Sequence, residues 1–166
     1  IAKAIDSTLW EDNIGVWAEY KDLMGYGRLH TNAALWTIYH AIDSRVGSSL
    51  QRYRATQYVD STIPHIPIEN KSVESGRYAT ISTSNWQPYI WSINNVAFAE
   101  VMNMALAYWQ SGRYEEGYTL LKSSILDGMY MGGSPGNFGQ ISYYDVARGE
   151  CYRDFGDPIG VVSRVF

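Results

Sequence analysis

Four segments of the chain have the hydrophobic spacing of α-helices, and they form two pairs. The first segment of each pair is apolar on most of its faces, at 33–42 (AALWTIYHAI) and at 91–109 (WSINNVAFAEVMNMALAYW). A helix without a polar face is expected to be covered by protein on all sides. The pattern therefore predicts two inner helices, one in each half of the chain.

The second segment of each pair is apolar on one side only. Segment 50–59 (LQRYRATQYV) is predicted to turn Leu50, Tyr53 and Val59 inward and its arginines outward. In segment 114–130 the apolar residues recur every three or four positions, at Tyr114, Tyr118, Leu121, Ile125 and Met129. Each pair thus predicts a covered helix followed by an amphipathic helix at the surface.

An inner layer of covered helices wrapped by amphipathic ones indicates an all-α fold, built from the helical hairpins of an α/α toroid. The two covered segments begin about 60 residues apart, which suggests a repeat. A simple solenoid of helix pairs would also have one covered and one amphipathic helix in each pair, but the difference between the two would be weaker. Segment 1–10 looks like the end of a helix, and Asp157-Pro158 begins another helix that stops after a few residues. We therefore expect 1–166 to be a single partial toroid domain with both ends truncated.

Long connections separate the predicted helices, at 15–27, 64–89 and 132–157. Loops of this length are uncommon in a compact domain unless they have a function. The last one contains GGSPGNFG, whose glycines allow the backbone to approach a ligand closely. We expect the three loops to line one mouth of the ring.

Composition and charge narrow the range of partners. The chain is 46% hydrophobic and 18% charged, which is typical of a folded domain, and its net charge of −4 disfavours a general nucleic-acid binder. No apolar run reaches the length of a membrane span.

The single Cys151 excludes an internal disulfide framework and a cysteine-rich zinc site. Phosphate-loop, dinucleotide and HExxH motifs are absent, and the histidines lack metal-ligand spacing, so we predict no cofactor and no metal.

Carboxylates flanked by aromatic residues are the most informative chemical feature, in a chain that is 14% aromatic. Glycoside hydrolysis needs two carboxyl groups, and the one that acts as acid needs a raised pKa. An aromatic environment favours such a pKa by desolvation. The candidate catalytic residues are therefore Glu19, Asp22, Glu150 and Asp154. Asp154 has a structural alternative, because it can pair with a nearby arginine.

Glu100 is a separate case, because it lies in the middle of an apolar segment, where a carboxylate is costly unless it is paired. Two interpretations stay open for it, a buried structural partner and a site residue.

Aromatic and amide side chains around TSNWQPYIWSINN are suited to sugars, since Trp and Tyr stack on sugar rings and amides match vicinal hydroxyls. The candidate substrate-binding residues are Trp86, Gln87, Tyr89, Trp91, Asn94, Asn95 and Asn137. The alternative for the adjacent asparagines in this set is that they satisfy local backbone groups.

Four blocks of sequence resemble the six-hairpin glycosidase superfamily, namely LHTNAALWTIYHAID, TSNWQPYIWSINNVAFAE, ALAYWQSGRYEEGYTLLKSSILDGMYMGGSPGNFGQ and RGECYRDFGDPIGVVSR. The resemblance covers most of the chain after Gly15. It is closest to a bacterial glycosidase-like family of unassigned activity, associated with polysaccharide breakdown. It implies an (α/α)6 toroid with the site in its central funnel, of which this chain holds about two and a half hairpins.

The resemblance also implies roles for particular residues. The general acid would be Glu19 or Asp22, the second carboxylate Glu150 or Asp154, and sugar subsites would be lined by Trp86, Gln87 and Trp91. An extracytoplasmic location follows, with an oligo- or polysaccharide as substrate. The rest of the toroid, or a second copy of the chain, would be its protein partner.

The sequence therefore predicts a segment of a glycoside hydrolase that uses a pair of carboxylates. Phosphorolysis and lyase chemistry stay open on the same fold. The alternative is a non-catalytic helical module that binds a glycan or a protein.

Overall fold

The computed structural model describes residues 1–68, 74–85, 95–127, 140–145 and 150–152. The helices in these ranges are α1 (Ala2–Leu9), α2 (Leu35–Asp43), α3 (Ser49–Thr62), α4 (Phe98–Gln110) and α5 (Tyr114–Ile125). The strands are β1 (Trp10–Glu11), β2 (Val16–Trp17), β3 (Tyr20–Lys21), β4 (Leu29–His30), β5 (His65–Pro67), β6 (Ala79–Ile81), β7 (Asn95–Ala97), β8 (Gln140–Asp145) and β9 (Glu150–Tyr152).

The prediction of an all-α toroid is wrong, because the described residues form a mixed α/β structure. The strands pair antiparallel in small sheets, β1 with β2, β3 with β4, β5 with β6, and β7-β8-β9 in that order. Most of these strands are two or three residues long. That is too short to show the alternating pattern of a strand in sequence. The connections at 15–27 and 64–89, predicted as loops, contain such strands.

The core forms where α2 packs on α4. The prediction that these helices are covered on all sides is wrong, because Leu106 and Trp109 on the outer face of α4 are each 51% exposed. The two helices run in the same direction, since Tyr39 approaches Asn103 and Asp43 accepts a hydrogen bond of 2.9 Å from Gln110. Their buried residues are Leu35, Ile38, Ala41 and Ile42 on α2, and Phe98, Val101, Met104, Ala105, Ala107 and Tyr108 on α4. Because the helices are parallel, both begin at the same end of the core.

The surface helix α3 begins with a reciprocal cap. The Ser48 hydroxyl accepts from the Gln51 N–H at 3.2 Å, and the Gln51 side chain accepts from the Ser48 N–H at 2.7 Å. Val59 is buried as predicted, but Leu50 and Tyr53 are 66% and 40% exposed, so their predicted inward position is wrong. The inward positions of α3 are instead occupied by Ala55, Thr56, Tyr58 and Val59.

The orientation predicted for α5 is also wrong. Its expected apolar stripe is exposed, at 57% for Tyr114, 55% for Tyr118 and 40% for Leu121. The buried face instead consists of Gly117, Leu120, Ser123 and Ser124. A Cβ on Gly117 would lie 2.9 Å from the carbonyl oxygen of Ala105. The backbones of α4 and α5 therefore touch at this glycine, and that contact decides which face of α5 turns inward.

The N-terminal helix α1 is attached to the rest of the structure through hydrogen bonds of Asp6. The helical prediction for the first ten residues is confirmed by α1. The Asp6 carboxylate accepts from the Trp17 indole at 3.1 Å and from the Gln51 side chain at 2.9 Å. These bonds hold α1 against β2 and α3.

Candidate active site

A half-buried carboxyl group, with one oxygen fully buried, lies near the start of α4. Glu100 is in the first turn of α4, and its Oε2 atom is buried without a hydrogen-bond partner among the described residues. Tyr39 of α2 lies beside it, near enough for the charge of Glu100 to act on the phenol, and Asn103 hydrogen-bonds to Tyr39. Glu100 and Asn103 are three residues apart on α4, so they share one face of that helix.

The position of Glu100 changes its protonation. Burial raises the pKa of Glu100 to about 7, because the charged form loses its hydration and gains no partner in the described part of the chain. Burial also raises the pKa of Tyr39, and the nearby charge of Glu100 raises it further. Near neutral pH Glu100 can therefore hold a proton and release it, as a general acid must.

A small groove begins at Tyr39 and Asn103 and follows the α2–α4 contact. It has a volume of about 100 Å³ and is lined by Tyr39, His40, Asp43, Asn103, Leu106 and Gln110. The Tyr39 and His40 rings lie 4.5 Å apart at a tilt of 53°. Phenol, imidazole, amide and carboxylate groups supply both donors and acceptors, which suits a ligand that presents hydroxyl groups.

Glu19, the first predicted catalytic residue, lies at the same end of the core. Its Oε1 atom accepts from the Ala34 N–H at 2.5 Å, and its Oε2 atom accepts from the Trp36 indole at 3.1 Å. Trp36 is three residues before Tyr39 on α2, so both rings project on neighbouring turns of one face. Glu19 thereby holds the β2–β3 connection to the start of α2. Its catalytic role stays a prediction.

Asp22, the second candidate in this region, shapes a turn. Its Oδ1 atom accepts from the Met24 N–H at 2.8 Å in the connection between β3 and β4. The tip of this connection is exposed, with Leu23 at 86% and Met24 at 98%. The hydrogen bond of the Asp22 carboxylate within the described ranges is thus local to this turn.

The remaining predicted residues fall in the second half of the chain. The structure brings the backbones of Asn95 (β7) and Glu150 (β9) into one three-stranded sheet, in which β8 separates them. Because β7 leads directly into α4, this sheet is joined to the helix that bears Glu100. Trp86, Gln87, Tyr89, Trp91, Asn94, Asn137 and Asp154 lie outside the described residues.

The sequence analysis considered Glu100 but missed Tyr39 and Asn103. The signal was present, since Glu100 and Asn103 are polar residues at helical spacing within an otherwise apolar segment. Polar positions repeated on one face of a covered helix indicate a polar pocket or a buried network. The partner on α2 was not foreseeable without knowing that the two helices pack in parallel.

Comparison with family models, with curated proteins and with solved structures finds no match to this chain. The resemblance to six-hairpin glycosidases therefore stays a prediction. The described residues contain no group of three or more side chains placed to hold a metal ion. None of the helices in the described ranges combines the length and apolar character that crossing a membrane requires.

Proposed function

We propose that this chain takes part in glycoside hydrolysis, with Glu100 as the general acid. The observation that supports the proposal most directly is the half-buried Glu100 carboxyl, whose pKa burial raises to about 7 and which lies beside Tyr39, a residue of the groove. A glycosidase acid must be protonated near neutral pH to protonate the leaving oxygen, and desolvation is the usual means of achieving this.

The proposed reaction assigns one role to each group. Glu100 gives its proton to the glycosidic oxygen as the bond from that oxygen to the anomeric carbon breaks. Water then adds to the anomeric carbon and replaces the lost proton. Tyr39 and Asn103, which lie beside Glu100, hydrogen-bond to sugar hydroxyls.

A second, ionised carboxylate is required to activate the water or to attack the anomeric carbon. Glu150 stays the candidate for this role, because its strand belongs to the sheet that is joined to α4. The resemblance in sequence supports a polysaccharide-derived substrate and an extracytoplasmic location, and both belong to this proposal.

The decisive experiment compares Glu100→Gln with Glu11→Gln, a control at a partly exposed carboxylate on β1. With oligosaccharide substrates, Glu100→Gln is expected to lower kcat by roughly 10²–10⁴-fold, which is the usual contribution of general acid–base catalysis. Glu11→Gln should behave as the wild type. The assay uses a panel of oligosaccharides from plant and bacterial polysaccharides, with reducing-end release as the readout.

A second substrate separates loss of the acid from loss of structure. Aryl glycosides with strongly acidic phenol leaving groups need little protonation, so Glu100→Gln should retain most of its activity on them. Equal loss of activity on both substrate types would count against Glu100 as the acid. Wild-type activity of Glu100→Gln on oligosaccharides would refute the assignment outright.

The second candidate function is a non-catalytic glycan-binding module, and an exposed aromatic surface favours it. Trp109 and Tyr114 are 51% and 57% exposed, and their ring centroids lie 5.3 Å apart in an edge-to-face arrangement. Exposed Trp and Tyr faces match the C–H surface of sugars. Glycan binding without hydrolysis, unchanged in Glu100→Gln, would identify this function instead.

A further inference from the structure

A larger cavity lies near the C-terminal end of α4, away from Glu100. Its wall includes Tyr108, which is eight residues after Glu100 and therefore about 12 Å further along the helix. The cavity has a volume of about 300 Å³ and lies between the end of α3, the β5–β6 hairpin and the start of α5. This volume is at the lower end of the range for small-molecule sites.

The floor of the cavity is apolar. It consists of Ala79 and Ile81 from β6, Leu120 from α5 and the Tyr108 ring. Tyr108 is 3% exposed, and its hydroxyl donates to Asp60 Oδ1. Burial raises the pKa of Tyr108, and the Asp60 hydrogen bond raises it further, so the group stays a neutral phenol with a fixed ring plane.

Two of the three acidic groups on the wall, Asp60 and Glu116, are engaged in ion pairs, and the third is Glu115. Arg113, with a side chain only 12% exposed, donates to Asp60 Oδ2 at 2.5 Å and to Glu116 Oε1 at 2.9 Å. Each carboxylate oxygen has two lone pairs, so both groups can still accept from a ligand hydroxyl. A ligand ammonium group would instead compete with Arg113 for these carboxylates.

Further polar groups complete the wall. His65 Nδ1 lies 2.8 Å from the Ile63 carbonyl oxygen. Because a carbonyl only accepts, Nδ1 bears the proton, and Nε2 of the neutral ring is an acceptor. Arg77 is a donor that is paired with Glu74 at 3.1 Å, and the Thr119 hydroxyl both donates and accepts.

We propose that this cavity binds an uncharged pyranose unit, as a sugar site separate from Glu100. The apolar side chains of the floor match the C–H surface of a pyranose, and the surrounding donors and acceptors match its hydroxyl groups. The choice of a sugar as ligand rests on the proposed carbohydrate function. The cavity itself is independent of the reaction at Glu100.

The test is a titration of the full chain with methyl pyranosides. Binding is monitored through the amide NMR signals of Ala79, Ile81 and Leu120. We expect saturable shifts in the wild type and about tenfold weaker binding in Thr119→Phe, whose ring would fill the cavity. Thr8→Phe, at an exposed position on α1, is the matched control and should bind like the wild type. Arg77→Gln, which shortens an exposed side chain of the wall and removes its charge and its ion pair with Glu74, should also weaken binding if Thr119→Phe fails to fold.

The outcomes also separate this proposal from the catalytic one. If Glu100→Gln binds the pyranoside in the cavity but no longer hydrolyses oligosaccharides, both proposals are supported. If it binds the pyranoside and still hydrolyses oligosaccharides, the cavity proposal stands and the catalytic proposal is refuted. Absence of pyranoside shifts in the wild type would overturn the cavity proposal. So would binding of alkylammonium probes in place of sugars, or binding that neither Thr119→Phe nor Arg77→Gln weakens.

Discussion

At the scale of single residues, the protonation of Glu100 links stability to pH. Its pKa is about 7 in the folded chain and 4.5 when unperturbed, so between these values the folded state binds more protons than the unfolded state. The free energy of unfolding therefore decreases as pH rises from about 4.5 to about 7. Because Glu100 is partly solvated, we expect an effect of about 1–2 kcal/mol, below the full value of the shift.

The measurement is the free energy of unfolding by urea at pH 4, 5, 6, 7 and 8, for the wild type and for Glu100→Gln. The variant lacks the titrating group, so its stability relative to the wild type should increase across this range and level off above pH 7. A difference between the two proteins that stays constant with pH would show that Glu100 titrates normally.

Residue-level analysis drew attention to one side chain that conflicts with its surroundings and left its role open. Glu100 was recognisable because a carboxylate interrupts an apolar segment. Glu19 was also singled out, but its aromatic neighbours in sequence did not reveal that both of its oxygens accept hydrogen bonds, from the Ala34 amide and the Trp36 indole. Such partners are fifteen or more residues away along the chain, and no local pattern encodes them.

At the scale of elements, the helices were predictable and the strands were not. The predicted start of the second covered helix was wrong, since 95–97 form β7 and α4 begins at Phe98. Helices of nine to fourteen residues show several turns of hydrophobic spacing, as α2 to α5 do. A strand pair of two residues, such as β3 with β4, depends on its turn and its partner and leaves no period to detect. The orientation of α5 was wrong because a glycine contact outweighed the apolar stripe that the prediction used.

That contact gives a prediction for Gly117→Ala. Alanine favours the helix by about 1 kcal/mol over glycine. However, the added Cβ would lie 2.9 Å from the Ala105 carbonyl oxygen and 3.3 Å from the Trp109 nitrogen, both backbone atoms. Since α4 and α5 must separate to admit it, we expect a net loss of about 1–3 kcal/mol.

Thermal and urea unfolding of Gly117→Ala measure this loss, with Glu115→Ala at an exposed position of the same helix as control. The control should change stability by less than about 0.5 kcal/mol. A Gly117→Ala variant that is more stable than the wild type would show that helix propensity, and not the contact with α4, governs this position.

At the scale of the whole molecule, Arg113 connects helices from the two halves of the chain. It bonds to Asp60 on α3 and Glu116 on α5, donates to Thr56 Oγ1 at 3.2 Å, and lies over the Tyr108 ring of α4 at 4.8 Å. Arg113→Met keeps much of the side-chain volume but leaves both carboxylates without their cation. We expect a loss of about 1–3 kcal/mol at pH 7, typical of hydrogen bonds to charged groups.

Acid should reduce the effect of Arg113→Met. Arg113 lowers the pKa of Glu116 through its hydrogen bond, so the stability that the pair contributes is present above the ordinary carboxyl pKa and is lost as pH falls through the lowered value. Urea unfolding at pH 7 and at pH 3 measures both proteins, with Arg45→Met at an exposed position as control. The gap between wild type and Arg113→Met should narrow at pH 3, whereas an equal gap at both pH values would mean that Arg113 acts by packing on Tyr108 and not by its charge.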